Sequence, residues 1–294
     1  MRRTHPERSL EAAIETQSIA PDGATVLVAC SGGPDSVALA SLLSRLAQRH
    51  RWRIVLGHVN HHVRESSWQD EAIVLSVAAR LGLEVRIAGL EAGSQDEARL
   101  RDARYSLLAR MAADSGARVI ATAHVAEDQT ETVLLALFRG TGLRGLGGMP
   151  VRRRLGPGME LVRPLLQVGH VALAFELGAG ALPYVRDPTN ADPEHRRNAV
   201  RDALSGLRER FPRLDEAVAR CAGIVASELA GDDLAAARRR LRATLEQEAG
   251  LRDVSFERIE AALGARRGRV HIKSGVEIVK EEQRANARVV RRND

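Results

Sequence analysis

Short apolar runs rich in β-branched residues alternate with longer amphipathic stretches through the first half of the chain, and this alternation restricts the fold more than any other feature. The runs have the length of strands, and the stretches have helical periodicity. The strand-like runs are 26–29, 54–58, 85–88 and 119–123, and the helix-like stretches are 36–50, 69–82, 95–115 and 126–138. The pattern predicts an α/β fold with a Rossmann-like parallel sheet and helices on both faces.

The last third of the chain has a different pattern. The alternation ends at a glycine-rich segment, 139–149, and from about residue 204 the sequence is helical and charged. Two short alternating segments flank Ser274-Gly275, which is a hairpin signal. We therefore predict a larger domain over residues 1–206 and a smaller, mainly helical domain over 207–294 that ends in a short β-hairpin.

Composition excludes several classes of protein. The 294 residues include two cysteines, Cys30 and Cys221, so the chain has neither a disulfide framework nor the ligand spacing of a zinc site. No apolar run is long enough to cross a membrane, and the basic start "MRRTHPERSLEAAIE" lacks the apolar segment of a signal peptide. We expect a cytoplasmic protein with no membrane contact. The net charge of +6 suits a polyanionic partner, although solvated helix faces explain it equally well.

A turn of small residues, "SGGPDS", joins the first predicted strand to the first predicted helix. Backbone N–H groups in such a glycine turn and in the helix start that follows form an anion cradle, although the same residues also suit a simple helix cap. A carboxylate here would repel a bare phosphate, but Mg²⁺ held by the carboxylate and by phosphate oxygens removes the conflict. The candidate phosphate-binding residues are Ser31, Gly32, Gly33, Pro34, Asp35 and Ser36, with Asp35 also the candidate metal ligand.

A second group of polar residues begins where the fourth predicted strand ends. His124, Glu127, Asp128 and Glu131 have the i, i+3, i+4, i+7 spacing of one helix face. Such a face could hold an ammonium group, help to coordinate a metal and supply a catalytic base. A solvated first helical turn, which favours acidic residues because of the helix dipole, is the alternative.

Further candidates lie in loops and at helix ends. Asn60, His61 and His62 in "HVNHHVR" could contact a nucleotide, and the two adjacent histidines lack the third ligand that zinc needs. Arginines could neutralise phosphate groups, although each one is as easily a surface or packing residue. These arginines are Arg64, Arg101, Arg104 and Arg139.

The loop Ser31 to Ser36 resembles the S-G-G-x-D-S pyrophosphate loop of the N-type ATP pyrophosphatases, the PP-loop superfamily. Three further stretches resemble the tRNA(Ile)-lysidine synthetase family. They are "HVNHHVR", "TAHVAEDQTETVLLALFRGTGLRGLGGM" and "RDPTN" with the later "RRNAVR". The resemblance extends over about residues 25–205 and implies that residues 1–206 form the catalytic domain.

The resemblance implies a ligase with three substrates. ATP, with Mg²⁺, adenylates O2 of the wobble cytidine in tRNA(Ile) with a CAU anticodon, and free L-lysine then displaces AMP at C2 to give lysidine. By this resemblance Asp35, Arg104, His124, Asp128 and Glu131 are catalytic, and residues 207–294 contact the tRNA. The implied lysine or cytidine pocket comprises Asn60, His61, His62, Arg64, Glu127, Arg139, Asp187, Asn190, Arg197 and Asn198.

Some features depart from the family pattern or leave rivals open. The family usually has a second histidine and a pair of aspartates where this chain has Val125 and Glu127, so the resemblance assigns Glu127 no definite role. A homodimer is left open. A tRNA cytidine 2-thiolation enzyme would need more cysteine chemistry than this chain offers, an NAD synthetase would not need the basic tail, and a nucleotide sensor would not need the acidic face.

Overall fold

The computed structural model describes most of the chain. The described residues are 6–15, 17–60, 67–90, 97–185, 196–231, 233–249, 251, 254, 256–264, 268–273, 276–280 and 288–291. Two compact units divide the molecule, Met1–Gly223 and Ile224–Asp294. No helix among the described residues is long and apolar enough to cross a membrane.

The first unit contains a six-stranded sheet with helices on both sides. Its strands are β1 (Thr25–Ala29), β2 (Arg53–Asn60), β3 (Glu84–Gly89), β4 (Val119–Ala121), β5 (Arg152–Gly156) and β6 (Met159–Val162). Its helices are α1 (Pro6–Glu15), α2 (Pro34–His50), α3 (Ser67–Leu81), α4 (Glu97–Asp114), α5 (Ala126–Phe138), α6 (Gly142–Leu146), α7 (His170–Gly180), α8 (Arg196–Arg210) and α9 (Leu214–Ala230), the last of which continues into the second unit.

The sheet confirms the predicted α/β architecture. Its strand order is β3-β2-β1-β4-β6-β5, and every neighbouring pair is parallel except the β5–β6 pair. The central strand β1 is buried on both faces, because Val26 and Val28 pack with α2 whereas Leu27 and Ala29 pack with α4. The carboxyl ends of β1, β2 and β4 therefore meet at one edge of the sheet, where parallel α/β sheets bind ligands.

The sequence prediction missed two strands of this sheet. β5 and β6 form an antiparallel hairpin at the edge, around a turn at Pro157-Gly158. The exposed arginines of β5 do not form the alternating apolar pattern that predicts a strand. Charged residues are nevertheless typical of an edge strand, because they discourage pairing with another chain.

The second unit has its own small core. It contains α10 (Asp233–Ala249), α11 (Phe256–Gly264) and a three-stranded antiparallel sheet of β7 (Gly268–Lys273), β8 (Val276–Lys280) and β9 (Arg288–Arg291). Leu245, Ile259 and Ile272 are buried together in this unit. The predicted hairpin corresponds to β7 and β8, and β9 adds a strand that the sequence analysis did not identify.

The predicted division between residues 206 and 207 lies inside α8. The compact units place the division later, after Gly223. Gly206 is an interior residue of α8 and does not end the helix, since tertiary packing of α8 outweighs the low helix propensity of one glycine.

We predict that Gly57→Ala lowers the free energy of unfolding by about 1–3 kcal/mol, because overpacking a dense core forces side chains and backbone to shift. A Cβ at this position of β2 would lie 2.9 Å from Cδ2 of the buried Leu27. Urea denaturation measures the change. Gly206→Ala is the matched control, since its Cβ would meet nothing within 4 Å. It should stabilise α8 by about 0.5–1 kcal/mol, and a Gly57→Ala protein as stable as wild type would contradict the packing argument.

Candidate active site

The loop between β1 and α2, where the sequence predicts a phosphate cradle, is a tight glycine turn. Gly32 has φ +85°, and a Cβ there would lie 3.2 Å from the carbonyl oxygen of Asp70, so both the backbone and the space require glycine. α2 begins at Pro34 directly after this turn. The first turn of a helix leaves its backbone N–H groups without intrahelical acceptors, so the loop presents donors at the sheet edge.

The hydroxyl of Ser36 holds this loop in shape. It accepts a hydrogen bond from the backbone N–H of Ser31 at 3.2 Å and donates one to the carbonyl oxygen of Gly33 at 2.8 Å. These bonds cross the turn from its first residue to its last. Ser36 is buried, so its role is to organise the cradle from behind.

Asp35 lies at the mouth of the cradle and is paired with a residue that the sequence analysis did not select. Its Oδ1 is 3.0 Å from Nδ1 of His170, the first residue of α7. The hydrogen bond to Asp35 raises the pKa of His170 to about 9, against the opposing effect of burial. The pair is therefore an imidazolium and a carboxylate at neutral pH.

Glu127 connects the start of α5 to the start of α7. Its Oε1 accepts a hydrogen bond from the backbone N–H of His170 at 2.8 Å, and its buried Oε2 has no hydrogen-bond partner in the described part of the chain. Burial raises the pKa of Glu127. This contact places His170 against Asp35.

Asp128 belongs to the same turn of α5. Its Oδ2 accepts a hydrogen bond from the backbone N–H of Val125 at 3.1 Å, which caps the helix. Burial raises the pKa of Asp128, and the charge of Arg197 opposes that rise. The side chain is therefore a half-buried carboxylate whose second oxygen, Oδ1, lies 3.8 Å from Nη2 of Arg197.

Glu131 is fully buried and holds two arginines of α8. Its Oε2 accepts from Nε of Arg197 at 2.8 Å, and its Oε1 accepts from Nε of Arg201 at 2.8 Å. These charge-assisted bonds join α5 to α8. Both oxygens are occupied, so Glu131 is a structural anchor of the site and not a free base.

His124 lies on the loop before α5 and is neutral. Its Nδ1 is 3.0 Å from the hydroxyl of Thr122. Burial is the largest cause that lowers its pKa to about 3, followed by the charges of Arg163 and Arg104. Such a weak base cannot take a proton from an ammonium group near neutral pH.

The structure brings some of the predicted residues together and separates others. Asp35, Glu127, Asp128, Glu131 and Arg197 form one connected set, through His170 at one end and the α5–α8 ion pairs at the other. Arg139 follows the last residue of α5, roughly 18 Å along the helix from Glu127 at 1.5 Å per residue, so it is not part of this set.

The remaining candidates have separate places. Asn60 is buried at the carboxyl end of β2, where its carbonyl oxygen accepts from Leu90, and Asn198 is buried in the first turn of α8. Arg104 lies on α4 and Arg101 one turn before it. The candidates that lie outside the described residues are His61, His62, Arg64, Asp187 and Asn190.

Four residues of the site were missed by sequence reasoning: Thr122, Arg163, His170 and Arg201. Arg201 ends the quoted stretch "RRNAVR" and so had a local signal, whereas Arg163 lies in a stretch without a recognisable pattern. His170 had none, because its partners Asp35 and Glu127 are distant in sequence and only the packing of α7 brings them together.

The donor groups at the cradle fit Mg²⁺ bound together with ATP. Within the described ranges, no group of three or more His, Cys, Asp or Glu side chains is arranged to hold a metal by itself. Mg²⁺ commonly takes one or two carboxylates plus phosphate oxygens and water. The carboxylate of Asp35 beside the phosphate cradle supplies that kind of partial site.

We predict that Glu131→Gln lowers the free energy of unfolding by about 1.5–3 kcal/mol, since an amide replaces the charged acceptor of two guanidinium groups. Chemical denaturation measures this change. Glu209→Gln, an exposed position on α8, is the control and should leave stability unchanged. Equal stability of the Glu131→Gln variant and wild type would show that the ion pairs do not hold α8.

Neither histidine of the site should titrate near the ordinary pKa. In ATP-free and metal-free protein, His170 should stay protonated up to about pH 9 and His124 should stay neutral down to about pH 3. Because the pKa of His170 is raised, its pairing stabilises the fold fully below about pH 6.5 and that contribution is lost as pH rises through about 9.

Two-dimensional NMR of the ring carbons, assigned with His170→Gln and His124→Gln, measures both pKa values. Asp35→Asn should lower the pKa of His170, because it removes the partner that raises it. A pKa of His170 that is ordinary while Asp35 is intact would contradict the pairing.

Comparison with known proteins identifies relatives of this chain. The tRNA(Ile)-lysidine synthase of Salinispora tropica is 43% identical over 222 residues, which are 72% of this chain and 66% of that protein. The protein of the same name from Ralstonia nicotianae is 38% identical over 253 residues, which are 82% of this chain and 54% of that protein. The matches thus span about half to two thirds of these relatives' own lengths.

A solved structure supports the fold. The U34-tRNA thiolase of Methanococcus maripaludis, described with its [4Fe-4S] cluster, superposes with a TM-score of 0.63 at 16% identity and covers 74% of this chain and 77% of its own. The family model of the PP-loop domain matches residues 3–207, which include the phosphate cradle and every residue of the connected set. The chain belongs to the PP-loop family.

Proposed function

We propose that this chain uses ATP to attach lysine to C2 of the wobble cytidine in tRNA(Ile) with a CAU anticodon. The observation that carries the proposal is the predicted phosphate cradle beside a half-buried acidic helix start, in a chain whose curated relatives bear the name tRNA(Ile)-lysidine synthase. A site that only bound ATP would have no use for desolvated carboxylates at this edge. An acceptor that enters as a cation does need them.

In the first half-reaction, O2 of the cytidine attacks the α-phosphorus of ATP. The bond from that phosphorus to the bridging oxygen breaks, and pyrophosphate leaves on the N–H groups at the start of α2, directly after the glycine turn. Mg²⁺ held by Asp35 and phosphate oxygens would neutralise negative charge on the leaving group. With Asp35 holding Mg²⁺, His170 would be free to donate its imidazolium hydrogen bond to a phosphate oxygen.

In the second half-reaction, the ε-nitrogen of lysine attacks C2 and the C2–O2 bond breaks, so AMP leaves with O2. Lysine's ammonium has a usual pKa of about 10.4 and must lose a proton first. Asp128 is the base in our proposal, because Glu131 is fully engaged by two arginines and His124 is too weakly basic. The raised pKa of Asp128 improves its match to this task.

The tRNA supplies the cytidine from its anticodon loop, where a base can leave the stack more easily than in a duplex. The arginine-rich residues 207–294 contact the tRNA body through phosphate groups, which position the substrate without reading its sequence. The basic sequence pI near 10.2 supports this partner.

Incorporation of radiolabelled lysine into an unmodified tRNA(Ile) transcript with a CAU anticodon tests the proposal. With ATP and Mg²⁺, the wild-type protein should transfer label to acid-insoluble RNA, and a C-to-U change at the wobble position should abolish transfer. Asp35→Asn should abolish it too, whereas Asp202→Asn, an exposed position on α8, should not. ATP cleavage to AMP and pyrophosphate with a different acceptor would sink the lysine and tRNA assignment.

A second assay separates the two half-reactions. Asp128→Asn should keep tRNA-dependent exchange of pyrophosphate into ATP but lower lysine attachment by about 10²–10⁴-fold, the usual contribution of a general base. Equal loss of exchange and attachment would show that Asp128 acts before lysine enters, and would overturn its assignment as the base.

A further inference from the structure

Four arginines converge around Tyr105 on the α4 side of the sheet. Arg101 and Arg104 lie on α4, Arg153 lies on β5, and Arg163 follows β6. The guanidinium carbons of Arg101 and Arg153 lie 5.7 and 5.2 Å from the centre of the Tyr105 ring. We call Arg101, Arg104, Arg153 and Arg163 the arginine cluster.

The arginine cluster lacks an acidic partner among the described residues. None of its four guanidinium groups forms an ion pair with a carboxylate in that part of the chain, and the charges that act on Arg104 and Arg163 at neutral pH are those of other arginines. Other arginines of this unit, such as Arg45, Arg197 and Arg208, do have carboxylate partners. The cluster is therefore an excess of positive charge built into one place.

The burial of Arg163 makes this excess of positive charge unfavourable for the folded protein when no ligand is bound. Its side chain is among the most buried in the molecule at 1% exposure, and Nη1 donates to the carbonyl oxygen of Pro150 at 2.6 Å. Its buried Nε has no hydrogen-bond partner among the described residues. A buried cation without an anion is strongly unfavourable unless a ligand supplies the missing charge.

The positive charges of the arginine cluster affect the pKa of His124. Arg163 and Arg104 are, after burial, the largest causes that lower the pKa of His124. The backbone N–H of Thr122 donates to the carbonyl oxygen of Val162 at 2.9 Å, so Arg163, the next residue, lies beside the loop that carries His124 into α5. Arginine's planar fork suits phosphate oxygens, and Tyr105 is too buried at 9% exposure to serve as a stacking platform for a base.

We propose that the arginine cluster is a phosphate-binding subsite for the backbone of the acceptor RNA beside the reacting nucleotide, an inference that rests on the proposed function. The positions of Arg153 and Arg163 favour RNA over ATP as the source of the phosphate. The cradle follows β1, whereas Arg163 follows β6, which is two strands away in the sheet, roughly 10 Å at the usual strand spacing, and Arg153 lies one strand further, on β5. ATP whose pyrophosphate lies on the cradle would have its α-phosphate next to β1.

The two exposed members of the cluster provide the test, because their loss should not disturb the fold. We would compare wild type with the double variant Arg101→Gln, Arg153→Gln. The matched control is Arg110→Gln, Arg118→Gln, which removes the same charge from exposed positions at the other end of α4 and at the amino end of β4. Thermal unfolding checks that both variants fold as the wild type does.

Two binding measurements on the full chain decide the outcome. The first is the Kd of unmodified tRNA without ATP at several salt concentrations, and the second is the Kd of ATP with Mg²⁺ without RNA. The cluster variant should bind tRNA about tenfold or more weakly and lower the salt slope by about 1–2, since each lost phosphate contact changes the slope by about 1. Its ATP affinity, and both affinities of the control variant, should equal those of wild type.

The remaining outcomes overturn the proposal in separate ways. Weakened ATP binding with unchanged tRNA binding would assign the subsite to the α-phosphate of ATP and overturn the RNA assignment. Wild-type affinity of the cluster variant for both ligands would overturn the subsite itself. If the subsite is overturned in this way but the wild-type protein binds tRNA and forms lysidine, the proposed function is unaffected. A wild-type protein that neither binds tRNA nor forms lysidine would overturn both the subsite and the proposed function.

Discussion

The candidate site depends on the ion pairs that the buried carboxylate of Glu131 forms with two arginines of α8. It holds Arg197 and Arg201, and so fixes α8 across the middle of α5. Because α5 begins at the carboxyl end of β4, this anchor also fixes Asp128 and Glu127 one turn earlier. Glu127 in turn holds the start of α7, which brings His170 to Asp35 at the phosphate cradle. One chain of charged contacts thus runs from α8 to α2.

Acidic and basic side chains occupy different parts of this site. Carboxylates occupy the first turns of α5, and guanidinium groups with no carboxylate partner among the described residues lie around Tyr105 on the α4 side. Burial raises the pKa of Glu127 and Asp128. It lowers the pKa of Arg104 and Arg163, so all four groups gain from ligands of the opposite charge. An ammonium substrate on one side and a phosphate on the other would satisfy them together, which is the arrangement that an ATP-dependent attachment of an amine to RNA requires.

Local sequence patterns predicted the central strands, the phosphate cradle and the acidic face of α5, because strand length, glycine position and helical spacing are local properties. They did not predict β5, because its arginines lack the apolar alternation by which a strand is identified. They also suggested that Glu131 could be a base, and only the structure shows both of its oxygens engaged by α8. The role of His170 depends on contacts between distant segments, which a single sequence does not contain.

The proposed function requires that the chain form an adenylated RNA before lysine reacts. Incubation of the protein with ATP labelled at the α-phosphate, Mg²⁺ and unmodified tRNA(Ile) with a CAU anticodon, in the absence of lysine, tests this requirement. We expect label bound to the tRNA that is released as AMP when unlabelled lysine is added. Label that never joins the tRNA, while lysine is still attached to it, would show that lysine attachment does not pass through an adenylated RNA.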